Sequence, residues 1–462
     1  MFVGRSEELR ELKQRYASDK TEIVGILGRR RIGKSQLIFH SHQDFDGVVI
    51  SFECSDTGYA DNLSRIESLI KEKMGNRFLH FVSLYEVLSY LQQEAASRKI
   101  LFIIDEYPYM RDGKKTDSEI KNAIDDFNMR GLDNPLKFIL CGSAVKTMEV
   151  LDDSSMPLHG RFTKVIRLLP LNYLESAMFF PEASLEDKVQ YYAVLGGVPY
   201  YLKQINPNRS FDENIIDLFF SSSPLLATEL ENQINGEINK IEKATFILDI
   251  LKNKTISYSD ILQVFNAAFP NGSIDYPLKK LLEMKVIEKL VVEQNNGKQK
   301  PYYRISDHSI AFYYSFLVRH YANRLLFSDR EYYETFIKEK LVSSFIPIMF
   351  ERIVFQFIAL MNKKGALEYR LYDLFPYVIN DKATKKSYQF DVVGKTDAGL
   401  VNFECKFQKD IIHTSEVYAE KRQAELAKQG FIETFFVSRS EVKGCDKAYY
   451  LPDMYQASLA DS

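Results

Sequence analysis

The stretch GRRRIGKS sets Gly28, Gly33, Lys34 and Ser35 in the spacing Gly-x4-Gly-Lys-Ser, directly after the apolar run EIVGIL. That context suits a strand, a loop and the start of a helix, in which backbone N–H groups turn inward around a phosphate. Lys34 would neutralise the β and γ oxygens, and the Ser35 hydroxyl would hold Mg²⁺. Arg29, Arg30, Arg31 and Ile32 complete the stretch and Gln36 follows it, the whole read as an ATP-binding cradle. A second apolar run, KILFIIDEY, ends in Asp105 and Glu106. There Asp105 would hold Mg²⁺ through water and Glu106 would polarise the attacking water as a general base.

A separate set of charges lies far downstream, in SYQFDVVGKTDAGLVNFECKF. Alternation along a strand puts Glu404 and Lys406 on one face and Cys405 on the other, and Asp391 joins them if the two runs pair through KTDAG. Asp391 and Glu404 offer oxygen ligands that suit Mg²⁺, and Lys406 would orient or activate a hydrolytic water beside a scissile phosphate. Upstream, MFERIVFQF supplies Glu351, an acid inside an apolar stripe, where an unpaired charge is costly. It is read as a fourth member of the constellation.

These residues need scaffolds to position them. Between residue 22 and about 171 the strand-like runs EIVGILG, GVVISFEC, KILFIIDEY, LKFILCGS and FTKVIRLLPL alternate with the amphipathic segments NLSRIESLIKEKM and SLYEVLSYLQQEAAS. Such alternation predicts a parallel sheet wrapped by helices. The run LKFILCGS ends in Ser143, which either reaches the γ-phosphate or the attacking water, or caps a helix over AVKTMEV. The blocks are drawn as 1–180 for the P-loop domain, 181–235 for a helical lid around LGGVPYYL, 236–325 for a winged helix and 326–462 for a last α/β domain. The winged-helix reading rests on helices followed by KVIEKLVVEQNNGKQKPYYRISD, two strand-like runs about an Asn-Gly turn. Lys298, Lys300 and Arg304 on that hairpin serve phosphate contact or lie on a solvated edge of a domain used only for packing.

The chain has 462 residues, 45% of them hydrophobic, enough for several domains with their own cores. Its 60 basic and 63 acidic residues leave a formal charge of −3, so any nucleic-acid surface must be local. Cys54, Cys141, Cys405 and Cys445 are scattered without metal-ligand spacing, which suits a reducing cytoplasm. The first residues lack an apolar core of signal-peptide length, and no window is expected to span a membrane. The richest apolar stretch, SSFIPIMFERIVFQFIALM, holds Pro347, Glu351, Arg352 and Gln356, which fits a buried helix. A soluble, cytoplasmic protein is expected.

FVGRSEEL, GRRRIGKS, the Asp105–Glu106 pair, CGS, PLHGRF and LGGVPYYL occur in that order and together resemble the archaeal-type ATPases of the AAA+ and signal-transduction NTPase group. The resemblance covers the first half of the chain. It implies that Val3, Gly4, Arg5, Gly197 and Pro199 contact the adenine side, although these residues also pass as turn and packing residues. It further implies that Arg161, in PLHGRF, stabilises charge on closure or from a neighbouring subunit, the other reading being a surface salt bridge. The last block resembles the PD-(D/E)xK nuclease fold, the restriction-endonuclease-like domain that follows the ATPase in the same group. It departs at Gln389, where members often carry an acid. The implied function is an ATPase whose nucleotide state controls a metal-dependent nuclease acting on nucleic acid, DNA rather than RNA, with room for a homo-oligomer or a protein partner. The alternative is an ATP-dependent switch that binds DNA or protein without cleaving.

Overall fold

The computed structural model describes residues 2–129, 136–143, 156–293, 299–318, 324, 326–381, 386–426, 430–456 and 459. It divides into two compact units, the first comprising residues 1–170 with 198–200 and the second 171–197 with 201–462.

In the first unit the elements run α1 (Ser6–Ala17), β1 (Glu22–Leu27), α2 (Lys34–Ser41), β2 (Val48–Glu53), α3 (Tyr59–Met74), α4 (Leu84–Glu94), β3 (Ile100–Asp105), α5 (Gly113–Met129), β4 (Lys137–Gly142) and β5 (Lys164–Arg167). The strands form one parallel sheet in the order β2-β3-β4-β1-β5. Strands β1, β3 and β4 are buried along their whole length, as expected where helices cover both faces of a parallel sheet. Alternation sorts the side chains. Ile23 and Leu27 pack with residues of α3, α4 and α5, whereas Val24 and Ile26 pack with Leu12, Leu37 and Ile38 of α1 and α2. The carboxyl ends of β1, β3 and β4 are neighbours in this order, so the phosphate loop, Asp105 and Ser143 emerge at one edge, where open α/β sheets bind ligands.

The second unit runs α6 (Leu185–Leu195), α7 (Ala244–Leu251), β6 (Ile256–Ser257), α8 (Tyr258–Ala268), α9 (Asp275–Glu283), β7 (Ile287–Glu293), β8 (Gln299–Ile305), α10 (His308–Phe316), α11 (Ile346–Lys363), β9 (Asp373–Asp381), β10 (Lys386–Lys395), β11 (Leu400–Lys406), α12 (Thr414–Leu426), β12 (Phe431–Ser438) and β13 (Ala448–Tyr450). One mixed sheet of eight strands takes the order β13-β12-β11-β10-β9-β7-β8-β6. The lid, hairpin and last block of the sequence reading all fall in this unit. The β7–β8 hairpin is antiparallel, and β7 meets β9 through the pair Glu293 and Tyr377. Its tip, with Lys298, lies outside the described residues. Strands β9, β10 and β11 form an antiparallel meander, and β12 returns parallel to β11 after α12.

Between Phe390 and Val393 the β9–β10 register shifts, with one extra residue on β10. The β9 residue at this point is Pro376, which has no N–H to give to the ladder, so a bulge is the natural accommodation. Gly197 has a stricter reason to be glycine. Its carbonyl accepts from the Leu171 N–H at 2.8 Å, and a Cβ there would lie 1.8 Å from the Leu171 carbonyl oxygen.

The continuous helical stretch Asp329–Lys363 corrects the membrane expectation in part, since by length and composition it is long and apolar enough to cross a bilayer. Within the fold half of its most apolar window is buried. Ile346, Met349, Phe350, Ile353, Val354, Phe357 and Ile358 form its inward stripe, and the buried Arg352 guanidinium donates to the Ile305 carbonyl at 2.7 Å. That pattern is what the core helix of a globular unit requires.

Candidate nucleotide site and acid cluster

The nucleotide site is built at the end of β1. Gly33 takes φ 93°, a left-handed conformation that opens α2 and that a side chain would resist. Arg31 also has positive φ, at 67°, and its guanidinium lies 4.3 Å from the centre of the Tyr200 ring. Lys34 is buried, and its ammonium donates to the carbonyls of Gly28 at 3.1 Å and Arg29 at 3.2 Å. These bonds hold the cation inside the loop, ready to exchange carbonyl partners for phosphate oxygens. Ile32 is fully buried, whereas Arg30, Ser35 and Gln36 are exposed along the loop and the first turn of α2.

The metal-side residues meet directly. The Ser35 hydroxyl donates to Asp105 Oδ2 at 2.6 Å, across 70 positions of sequence. The other Asp105 oxygen accepts from the Glu106 N–H at 2.8 Å. Glu106 has φ 49° and ψ 41°, an uncommon conformation for a residue with a side chain and one that collects at functional sites. Its carboxylate accepts twice from Ser143, from the N–H at 3.1 Å and from the hydroxyl at 2.8 Å. Ser143 thus holds the general-base candidate. The AVKTMEV segment that it was also read to cap lies outside the described residues.

The adenine-side residues divide. Val3 is buried, Gly4 and Arg5 both have positive φ, and the buried Arg5 donates to the Leu169 carbonyl at 2.5 Å and binds Glu8 at 3.1 Å. Arg5 therefore ties the entry of α1 to the exit of β5. Pro199 stands 3.7 Å from where a Cβ on Gly33 would be, beside the phosphate loop. Gly197 instead belongs with Leu171 in the second unit, so its glycine character is explained by packing. Arg161 has its own partners within the first unit. Its guanidinium pairs with Asp125 of α5 at 2.6 Å, and Lys121 shares the same carboxylate at 2.9 Å.

The acid cluster assembles as the alternation requires. The last pair of the β10–β11 ladder is Val392 with Phe403, and Asp391 and Glu404 are the next residue on each strand. Lys406 lies on the same face and binds Glu404 at 2.8 Å and Glu420 of α12 at 2.9 Å. Burial pushes the Glu351 carboxyl up to about 7, Glu404 adding to the effect while Arg304 and Arg352 oppose it. Burial, then the charges of Glu351 and Glu404, hold Asp391 well above the usual carboxylate range. Glu404 rises through burial against the pull of Lys406. Burial works against the charge of Lys406, but Glu404 and Glu420 outweigh it and raise its pKa. A buried site with more acids than bases needs protons or a cation. Among the described residues no three His, Cys, Asp or Glu side chains converge closely enough to hold an ion by themselves. Asp391 and Glu404 fit Mg²⁺ as a two-carboxylate site completed by water or phosphate oxygens, the form of coordination this ion favours.

Residues 2–205 match a family described as an ATPase domain predominantly from Archaea. The N-terminal region is an archaeal-type ATPase domain. Residues 313–424 match a second family, archaeal and bacterial proteins of unknown function. An uncharacterized protein of Methanocaldococcus jannaschii is 26% identical over 381 residues, covering 80% of each chain. An uncharacterized ATP-binding protein of the same organism is 45% identical over 38 residues, 8% of this chain and 64% of its own length. Among solved structures, the Walker-type ATPase of Pyrococcus abyssi is 20% identical and covers 68% of this chain and 96% of its own, with a TM-score of 0.49. The Aeropyrum pernix ORC2 protein is 15% identical and covers 67% and 91%, with a TM-score of 0.46.

Three contacts escaped the sequence reading. In the ATPase domain, Tyr200 over Arg31 and the Ser143 grip on Glu106 arise from segments far apart in the chain. Glu420, which shares Lys406 with Glu404, sits on a helix whose charged residues look like any solvated face.

Proposed function

We propose that this protein hydrolyses ATP and that its nucleotide state controls a Mg²⁺-dependent phosphodiesterase acting on nucleic acid, DNA rather than RNA, in the cytoplasm. The observation that carries the second activity is that Asp391 and Glu404 follow the last pair of the β10–β11 ladder, close enough for their charges to act on each other, with Lys406 bonded to Glu404 at 2.8 Å. The order α11, β9–β10–β11 meander, α12, β12 supports a restriction-endonuclease-like fold around that site. The order α7, β6, α8, α9, β7, β8 likewise supports a winged helix. Ser35 and Asp105 are the residues for Mg²⁺ at the nucleotide, as Asp391 and Glu404 are at the acid cluster. When bound, the ion supplies Lewis acidity at a phosphoryl oxygen. Lys34 neutralises the phosphates, Glu106 takes a proton from the attacking water once Ser143 releases it, and Lys406 orients the water at the acid cluster.

The decisive experiment measures Mg²⁺- and Mn²⁺-dependent cleavage of DNA and RNA with and without ATP, using Lys34→Ala and Asp391→Ala in parallel. Metal-dependent cutting that Asp391→Ala abolishes while ATP turnover continues is the expected result, with Lys34→Ala removing ATP binding. Cutting that survives Asp391→Ala removes the assignment. A second reading, a switch that binds without cleaving, is favoured by the double engagement of Lys406 with Glu404 and Glu420. It requires that ATP change the affinity for a partner.

A further inference from the structure

The acid cluster opens onto a cavity of about 140 Å³ within the second unit. Glu351 and Asp391 line it, together with Gln389, the residue at which the sequence departs from an acidic pattern. The facing wall is the β7–β8 hairpin. Glu288 stands opposite Arg304 and Leu290 opposite Tyr302, and alternation puts all four on the face that lines the cavity. Arg304 is fixed there by its ion pair with Glu288 at 2.6 Å. The adjacent strand end is anchored to the Glu351 helix through Arg352 and the Ile305 carbonyl. The hairpin is therefore a wall of the acid site.

The lining has the composition of a pocket for a flat polar ring. Tyr302 and Phe355 supply aromatic surface, Leu290 supplies an apolar one, and the Gln389 amide carries both a donor and an acceptor for a ring edge. A space of about 140 Å³ has room for a single ring, as an apolar cavity of roughly 150 Å³ has room for benzene. A base held in a duplex has both faces covered by its stacked neighbours and must leave the stack before it can enter such a space. Aromatic surfaces beside a backbone-binding site are the usual device for holding unpaired strands.

Resting on the phosphodiesterase reading, we propose that the substrate is single-stranded nucleic acid, one unpaired nucleotide of which enters the cavity between the β7–β8 hairpin and the acid cluster. The base lies against Tyr302 and Phe355, Gln389 meets its edge, and the attached phosphate is delivered to Asp391 and Glu404. Ionised Asp391 and Glu404 are acceptors only and cannot bond a phosphate oxygen directly, so a divalent cation must bridge them to the strand.

The test uses the full chain with Mg²⁺ or Mn²⁺ and three end-labelled probes: a DNA single strand, the same strand as a blunt duplex, and its RNA counterpart. Single strands should be cut at least about tenfold faster than the duplex, and the DNA and RNA arms report which sugar is preferred. Equal cutting of strand and duplex overturns the inference while leaving the phosphodiesterase reading standing. Binding is measured separately by fluorescence anisotropy with Ca²⁺ in place of Mg²⁺ to hold the strand uncut, on the parent chain and on Tyr302→Ala and the exposed Gln389→Ala. Loss of one stacked base should weaken single-strand affinity by about tenfold. Absence of cutting on every probe, with strand binding that needs the cation and falls in these variants, removes the phosphodiesterase but keeps the cavity as a strand site. Strand affinity unchanged in both variants overturns it. Circular dichroism and the thermal midpoint of the second unit, to which both residues belong, report that each variant is folded.

Discussion

Replacing Lys406 by Met removes the ammonium bonded to both Glu404 and Glu420, and the cost follows from their burial. The contacts are 2.8 and 2.9 Å, and the side chains of Lys406, Glu404 and Glu420 are 23%, 8% and 23% exposed. A fully exposed pair contributes ~0–1 kcal/mol. A buried pair that loses one partner costs ~3–5 kcal/mol, because the remaining charge is left without compensation. Glu404 belongs to the second case and Glu420 lies between the two, so the loss should be about 3 kcal/mol. At ~2–4 °C per kcal/mol this lowers the Tm of the second unit by roughly 6–12 °C. The same reasoning makes the loss reversible. Glu404→Gln in the Lys406→Met background removes the stranded charge, and a double-mutant cycle should return a coupling of about 2 kcal/mol. Calorimetry with and without Mg²⁺ is the assay, and the ion should stabilise Lys406→Met more than the parent because it binds carboxylates that the ammonium no longer occupies. A cost below ~1 kcal/mol with an additive double variant would refute the reasoning and make Lys406 an ordinary surface cation.

Two other outcomes follow from the geometry. Glu106→Gln should slow ATP turnover ~10²–10⁴-fold while leaving ATP affinity within a few fold, measured by phosphate release and by nucleotide binding; a fall of less than tenfold would remove Glu106 as the base. His308 is wholly buried, its Nδ1–H donating to the Tyr192 carbonyl at 2.9 Å, and burial first, then the Arg352 charge, bring its pKa down to about 3. Below an unfolded value of ~6.5 the unfolded chain takes a proton that the folded chain refuses, so this contribution is complete above pH ~6.5 and is lost as pH falls toward 3. At pH 4.5 the loss is about 2.7 kcal/mol. Urea unfolding between pH 7 and 4.5 should show a shallower slope in His308→Asn, and identical slopes would overturn the assignment.

The sequence by itself determined the phosphate loop, its flanking strand and the alternating elements of the parallel sheet. Those features are local: a glycine spacing, apolar runs of strand length and helical periodicity each depend on a few neighbouring residues. Period-two alternation likewise brought Glu404 and Lys406 to one face, and the short KTDAG turn made their meeting with Asp391 legible. Only the tertiary structure decided that Ser143 holds Glu106, that Glu420 shares Lys406, that Arg161 belongs to Asp125, and that Gly197 is glycine because the Leu171 backbone approaches it. Each of these contacts joins segments whose separation along the chain carries no signal of its own. The cavity beside the acid cluster is the clearest case. Its walls come from β7, β8, β9, β10 and α11, and β7 and β9 become neighbours only when the sheet closes its strand order. Strand order is set by the burial of whole faces, a sum over distant residues, and no short stretch of sequence contains it.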